Sequence, residues 1–187
     1  MKQLQRYTVV DIHPFKSRRN DVKFRKPEAE DGAAIWNLIG ACKPLDENSM
    51  YCNLIQCDHF RDTCILAELD GAPVGWISGY VLPNDPESFF VWQVAVSEKA
   101  RGLGLAKRML KRLLAREECK DVIRMQTTIT KDNDASWALF RSFADAQDAE
   151  LDHEAHFEKE THFQGEHDTE HMVTIKLPES GEMGAAA

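Results

Sequence analysis

The stretch from Phe89 to Leu110, FFVWQVAVSEKARGLGLAKRML, constrains the fold more than any other part of this 187-residue chain. Phe89 to Val96 is dense in aromatic and β-branched residues and reads as a strand. Gly102 to Glu117 reads as an amphipathic helix. Leu105, Met109, Leu110, Leu113 and Leu114 fall on one side, and Lys107, Arg108, Lys111 and Arg112 on the other. Between strand and helix stand Gly102 and Gly104, which carry no Cβ to keep an anion away from the backbone. The first amides of the helix lack intrahelical acceptors and sit at the positive end of its dipole. A pyrophosphate suits such a place, and Arg101 adds a permanent charge at its rim. The spacing is not GxGxxG, and no GK[ST] comes after it, which disfavours dinucleotide and nucleoside-triphosphate sites. On the glycines alone, a plain tight turn stays open as a reading.

The elements around this segment define an order. Val22–Lys26 reads as a strand stopped by Pro27, then a helix carrying Ala34, Trp36, Leu38 and Ile39, then a loop, Lys43–Asn48. A second helix comes next, whose Tyr51, Leu54 and Ile55 share one face by their spacing. Thr63–Leu69 and Val74–Leu82 form a hairpin about Asp70-Gly71, with Pro83–Pro86 as the next loop. Val122–Ile129 reads as a strand and Asp134–Ala144 as a helix. Two further strands are expected in the His- and acid-rich remainder, the last at Met172–Leu177. The order β-α-α-β-β-β-α-β-α-β-β predicts an α/β (α+β) fold, a mixed sheet with helices on both faces. One domain is expected over 21–178, between a flexible arm, 1–20, and a flexible tail, 179–187.

Charge and cysteine content narrow the function. A formal net charge of -8 is the wrong sign for a nucleic-acid binder. No apolar run reaches the roughly 18 residues a membrane helix needs, and the N-terminus lacks a signal-peptide core. Cys42, Cys52, Cys57, Cys64 and Cys119 are odd in number and form no CxxC pair, which suits reduced thiols in a cytoplasm. His153, His156, His162, His167 and His171 lie among acids without an HExxH core or a Cys partner. No metal is therefore expected; a proton relay or a pocket rim built on one of them, such as His162, fits better.

Arg101-Gly102-Leu103-Gly104-Leu105-Ala106 resembles the Arg/Gln-x-x-Gly-x-Gly/Ala signature of the GNAT acetyltransferase superfamily, placed after a strand ending in Val-Ala-Val. Asn133, with Ala135, Leu139, Phe140 and Phe143, is similar to that family's later Asn-containing helix beside the coenzyme. The resemblance implies an acetyl-CoA N-acetyltransferase. It also implies that the Phe89–Val96 strand carries a bulge and splays from its neighbour, with the pantetheine arm of the coenzyme in the opening, bonded to backbone at Val94 and Val96. Arg101 to Ala106, Asn133 and Phe140 would complete the coenzyme site. Further segments resemble the diaminobutyrate acetyltransferases of ectoine synthesis: Lys43–Ser49, Cys57–Phe60, Thr63-Cys64, Phe90–Val96 and Thr127–Ser136. That resemblance, from about Phe24 to Leu177, implies acetylation of the γ-amine of L-2,4-diaminobutyrate by a homodimer.

An alkyl ammonium has a pKa of about 10.4 and must lose a proton before it attacks a thioester. Within the resemblance, Asp46 is the expected anchor for the substrate's ammonium. The alternative is a carboxylate favoured by the dipole of the next helix. Trp92 is expected as a pocket wall or a core residue, and Thr128 as a hydrogen-bond donor to substrate or an ordinary strand residue. The N–H of Val94 is the expected polariser of the thioester carbonyl, in direct transfer within a ternary complex. For the base, Glu154, Glu158, Glu160, His162 and Glu166 are the candidates, with Glu166 also expected near the substrate. Many GNAT enzymes carry a Tyr where Phe140 stands, to protonate the leaving thiolate. The missing hydroxyl is the one feature that favours a non-catalytic acyl-CoA sensor. A GNAT acting on protein lysines or an antibiotic amine is the other rival.

Overall fold

The computed structural model describes residues 21–43 and 45–178, so the expected arm and tail lie outside the described residues. The elements are β1 (Lys23–Arg25), α1 (Gly32–Gly40), α2 (Met50–Asp58), β2 (Ile65–Leu69), β3 (Ala72–Leu82), β4 (Asp85–Val96), α3 (Leu105–Leu114), β5 (Arg124–Thr130), α4 (Asp134–Asp145), β6 (Leu151–Phe157) and β7 (Glu170–Lys176). This is the order read from the sequence. The strands form one seven-stranded sheet, β1-β2-β3-β4-β5-β7-β6. Every neighbouring pair is antiparallel except β4–β5. Asp70 and Gly71 make the β2–β3 turn with φ of 53° and 77°, the left-handed pair that Asp-Gly favours. The β3–β4 link is shorter than the expected Pro83–Pro86 loop. Pairing resumes at Asp85, and Pro86 sits at the start of β4, where a missing N–H is tolerated.

The sheet separates two cores. Met109, Leu110 and Leu113 of α3, with Trp137, Phe140 and Phe143 of α4, pack on Ile77, Phe89, Val91, Met125, Val173 and Ile175. Ile35 and Ile39 of α1 and Cys57 of α2 pack with Leu66, Trp76 and Ala95 on the other side. The buried face of α2 differs from the expected one. Asn53, Gln56 and Cys57 point inward, while Tyr51 is 71% exposed. These residues share the same i, i+3, i+4 spacing, so periodicity alone does not choose between the two faces. Asn53 Nδ2 donates to Gln56 Oε1 (3.1 Å), which pairs the two amides in the core, while Asn53 Oδ1 and Gln56 Nε2 are buried without a partner among the described residues.

Two irregularities of β4 open and shape a gap in the sheet. First, β4 and β5 pair only from Ser88↔Arg124 to Phe90↔Gln126. Beyond that, β5 continues along β7 while β4 continues along β3, and the two strands part. Second, Gln93 lies opposite Ser78 and Val91 opposite Gly79, so Trp92 is an extra residue, a β-bulge. The bulge inverts the alternation of the strand. Phe89 and Val91 pack on the α3/α4 side before it, and Val94 and Val96 do so after it. Ala95 packs on the α1/α2 side.

Candidate active site

One side of the gap is made of backbone. Ser97 N–H donates to Val74 O (2.9 Å) on β3, while Glu87 O, at the other end of β4, accepts from Ile123 N–H (2.8 Å) at the start of β5. Backbone groups alternate in direction along a strand, and the bulge resets that alternation. The N–H groups of Ala95 and Gln93 therefore face β3, and those of Val94 and Val96 face the gap. From the end of β4 the chain runs into the Arg101–Gly104 turn. Gly102 and Gly104 have φ of 75° and 65°, and a Cβ on either would meet nothing within 4 Å, so both stand against open space. Gly104 is the N-cap of α3, whose first amides point into that space. Leu103 and Leu105 are buried and anchor the turn; Ala106 is half-buried and Arg101 exposed. This cradle fits a phosphate-bearing ligand. Cys42 Sγ donates to Val96 O (3.4 Å) at its edge, and burial pushes that thiol's pKa up. On α4, Asn133 Oδ1 accepts from Ser136 N–H (3.1 Å) as the helix cap, and Phe140 is buried in the core.

The opposite side of the sheet holds a cleft of about 370 Å³ lined by Tyr80, Phe90, Trp92, Gln126, Thr128, His156, Phe157 and Met172, among others. Trp92 is 47% exposed, a wall and not a core residue. Its ring lies 6.4 Å from that of Tyr80, which lies 5.5 Å from Phe90. Three titratable groups meet beside this cleft. His167 Nδ1 donates to Asp168 O (2.7 Å), which turns Nε2 toward two carboxylates: Asp46 Oδ2 and Glu170 Oε1, each at 3.9 Å. The Asp46 side chain is 94% exposed and four residues short of α2, whose N-cap is Ser49. It thus faces His167 rather than the helix dipole. Glu170 is only 19% exposed, and its Oε2 has no partner among the described residues. Burial holds its pKa above the usual carboxylate value and the charge of Asp46 adds to this, while His167 and the Thr128 hydroxyl pull the other way.

A family model described as the acetyltransferase (GNAT) family matches residues 33–144. An L-2,4-diaminobutyric acid acetyltransferase of Methylotuvimicrobium alcaliphilum is 48% identical over 87% of this chain and 94% of its own length. Its counterpart from Vibrio cholerae is 49% identical over 84% of this chain and 91% of its own. The chain belongs to the GNAT acetyltransferases. The diaminobutyrate acetyltransferase of Paenibacillus lautus, solved in complex with L-2,4-diaminobutyric acid and coenzyme A, superposes at a TM-score of 0.79. It is 38% identical over 83% of this chain and 95% of that one. The NatC complex, at 14% identity and a TM-score of 0.65 over 84% of this chain, shares the fold.

Within this acetyltransferase, none of the expected bases lines the cleft itself, although the His162 ring lies 5.8 Å from that of Phe157, which does. Glu154 lies on β6 in a second, smaller cleft with Glu150, Asp152 and Lys176. Glu158 and His162 fold the β6–β7 connection: Glu158 N–H donates to His162 Nδ1 (2.9 Å), and Thr161 Oγ1 donates to the Glu158 carboxylate (3.0 Å). Glu160 and Glu166 are exposed on the same connection. Glu170 is a carboxylate that the sequence alone does not single out. It pairs with Thr130 at the start of β7, and alternation through Met172 puts it on the face of Thr128. Starting β7 at Met172 leaves Glu170 among the solvated acids. Among the described residues, no three His, Cys, Asp or Glu side chains converge on a metal geometry, and no helix is long and apolar enough to cross a membrane.

Proposed function

We propose that this enzyme acetylates the γ-amine of L-2,4-diaminobutyrate by direct transfer from acetyl-CoA in a ternary complex, the step that prepares the product for closure to ectoine. The observation that carries the reading is the pair of carboxylates, Asp46 and Glu170, beside a cleft that backs onto a gap lined by backbone donors. The bound pair in the Paenibacillus lautus enzyme supports it.

The cradle at Arg101–Ala106 would hold the coenzyme's phosphates, and Val96 N–H its pantetheine arm, with Asn133 and Phe140 shaping the α4 flank. Bound acetyl-CoA supplies an activated acyl group. Val94 N–H donates to the thioester oxygen as charge builds there. Asp46 attracts the ammonium of the acceptor, Trp92 walls it in, and Thr128 orients it together with Glu170. Glu170 takes the proton that the ammonium must lose before it attacks, and the second N–H proton passes to solvent as the C–N bond forms. The raised pKa of Glu170 narrows the gap to an amine of about 10.4, each unit of that gap being worth about 1.4 kcal/mol. The C–N bond forms, the C–S bond breaks, and the sulfur leaves as a thiolate with a pKa of about 8.5. Such a thiolate leaves near neutral pH without a donor, so the missing hydroxyl at Phe140 does not by itself favour a sensor. We further propose that the enzyme works as a cytoplasmic homodimer, with the exposed Met50 and Tyr51 of α2 available for apolar contact.

The test is to incubate the protein with acetyl-CoA and a panel of amines, tracking thiol release and product mass. Diaminobutyrate should be acetylated once, on the γ-nitrogen, faster than lysine peptides or aminoglycosides. Preference for a peptide would overturn the assignment.

A further inference from the structure

The bulge at Trp92 places the Gln93 side chain on the face opposite the α3/α4 core, where it is only 8% exposed. Buried there, both ends of its amide are used. Gln93 Nε2 donates to the backbone O of Asp46 (2.8 Å), and Gln93 Oε1 accepts from Asn48 Nδ2 (3.4 Å). Both partners belong to the loop that carries Asp46. That loop is also held from the far side by Trp36 Nε1, which donates to Asn48 O (3.0 Å), and at Leu45, whose N–H donates to Cys42 O (3.1 Å) and whose side chain packs on the α1/α2 core. Lys43 and Glu47 pair within it, but both are exposed, and such pairs contribute little. Gln93 is therefore the loop's bond to the strand whose next residue, Val94, faces the gap.

Leu45 anchors the loop on the α1/α2 core, but the residues after it reach solvent, and an exposed segment samples many positions unless hydrogen bonds fix it. The Asp46 carboxylate is almost wholly in water, so apart from His167 at 3.9 Å its reach is limited mainly by where its backbone stands. A buried amide that donates to that backbone sets the carboxylate's position without touching substrate.

We infer that Gln93 is a positioning residue for the acceptor: it fixes Asp46 beside His167 and Glu170, so one β-bulge sets both the donor-side N–H of Val94 and the acceptor-side carboxylate. This rests on the reading of Asp46 as the ammonium anchor. It predicts that the donor and acceptor sides cannot drift apart, because consecutive residues of one strand hold both.

Gln93→Met keeps the size and removes both hydrogen bonds. The KM for diaminobutyrate should rise about tenfold, with the KM for acetyl-CoA within twofold of wild type and the melting temperature little changed. Trp36→Phe, which removes the far tether alone, should raise the diamine KM in the same direction by less. In an Asp46→Asn background, Gln93→Met should add nothing, since the residue acts through Asp46. A wild-type Gln93→Met enzyme would overturn the inference, as would equal rises in both KM values or an effect that persists undiminished in the Asp46→Asn background. The two readings separate cleanly. If Asp46→Asn is impaired and Gln93→Met is silent, the anchor stands and the positioning role falls. If Asp46→Asn is silent while Gln93→Met is impaired, the anchor itself falls and takes the positioning role with it.

Discussion

The two sides of the β4–β5 gap are built from different materials. On the proposed donor side the groups that face a ligand are main-chain amides at Val94, Val96 and the start of α3, and the side chains nearby are glycine or core residues. On the proposed acceptor side those groups are side chains from four separated stretches: the loop holding Asp46, Trp92 on β4, Thr128 on β5, and His167 with Glu170 at the far end of the chain. Backbone groups are positioned by the fold itself and tolerate changes in nearby side chains. Side-chain groups are only as well placed as the loops beneath them. Damage to the donor side should therefore appear as lost coenzyme binding, and damage to the acceptor side as lost diamine turnover.

The sharpest test of that division is Glu170→Gln. Removing a general base should lower kcat by about 10²–10⁴-fold while acetyl-CoA affinity holds. As the proposed base Glu170 would act ionised, and burial holds its pKa above the ordinary carboxylate value of 4.5. Activity should therefore rise with pH through an acid limb displaced upward from that value, and the limb should vanish from the residual activity of Glu170→Gln. A limb unchanged by the substitution would assign the base elsewhere, with Glu154 and His162 next to be replaced. Gly104→Val attacks the other side. A β-branched residue at φ of 65° is strained and puts methyl groups into the open cradle. Acetyl-CoA should bind roughly a hundredfold more weakly by calorimetry, about 3 kcal/mol, with circular dichroism unchanged. Equal affinity in a folded variant would remove the cradle from the coenzyme site.

The same division separates the features legible in the sequence from those that are not. The element order, the Asp70-Gly71 turn and the Arg101–Ala106 cradle depend on local rules: alternation, amphipathic period and glycine at left-handed positions. The acceptor side depends on pairing across the sheet. Glu170 looks like one more solvated acid until β7 is registered against β5. The bulge at Trp92 leaves no mark in the residue pattern, where Phe-Val-Trp-Gln-Val-Ala-Val reads as an unbroken strand; only the resemblance to the GNAT enzymes implies a bulge there, and without its position. The inward face of α2 is hidden for a related reason, since Tyr51, Leu54 and Ile55 have the same spacing as Asn53, Gln56 and Cys57 and are the more apolar set.

Two smaller effects refine the comparison. Asp46→Asn keeps the side chain's size and removes its charge, and a lost charged hydrogen bond is worth about 1.5–3 kcal/mol. The kcat/KM for diaminobutyrate should fall roughly tenfold to a hundredfold, with acetyl-CoA affinity untouched. Wild-type kinetics would make Asp46 an ordinary loop residue. Phe140→Tyr should move kcat by less than tenfold, under about 1.4 kcal/mol of barrier. Because Phe140 is buried in the core, the added hydroxyl needs a partner there, and without one stability should fall by about 1–3 kcal/mol. A large gain in turnover would instead show that the wild type is limited by protonation of the thiolate.

The parting of β4 from β5 has a consequence that a spectrometer can read. A paired strand inside a sheet exchanges its amide hydrogens slowly, whereas an amide facing an unpaired gap lacks that protection. Val94 and Val96 should therefore exchange quickly in the free enzyme, between slowly exchanging neighbours at Gln93 and Ala95. Coenzyme A should slow those two amides selectively. The alternation of fast and slow amides along one strand would trace the phase of the bulge, residue by residue, in solution.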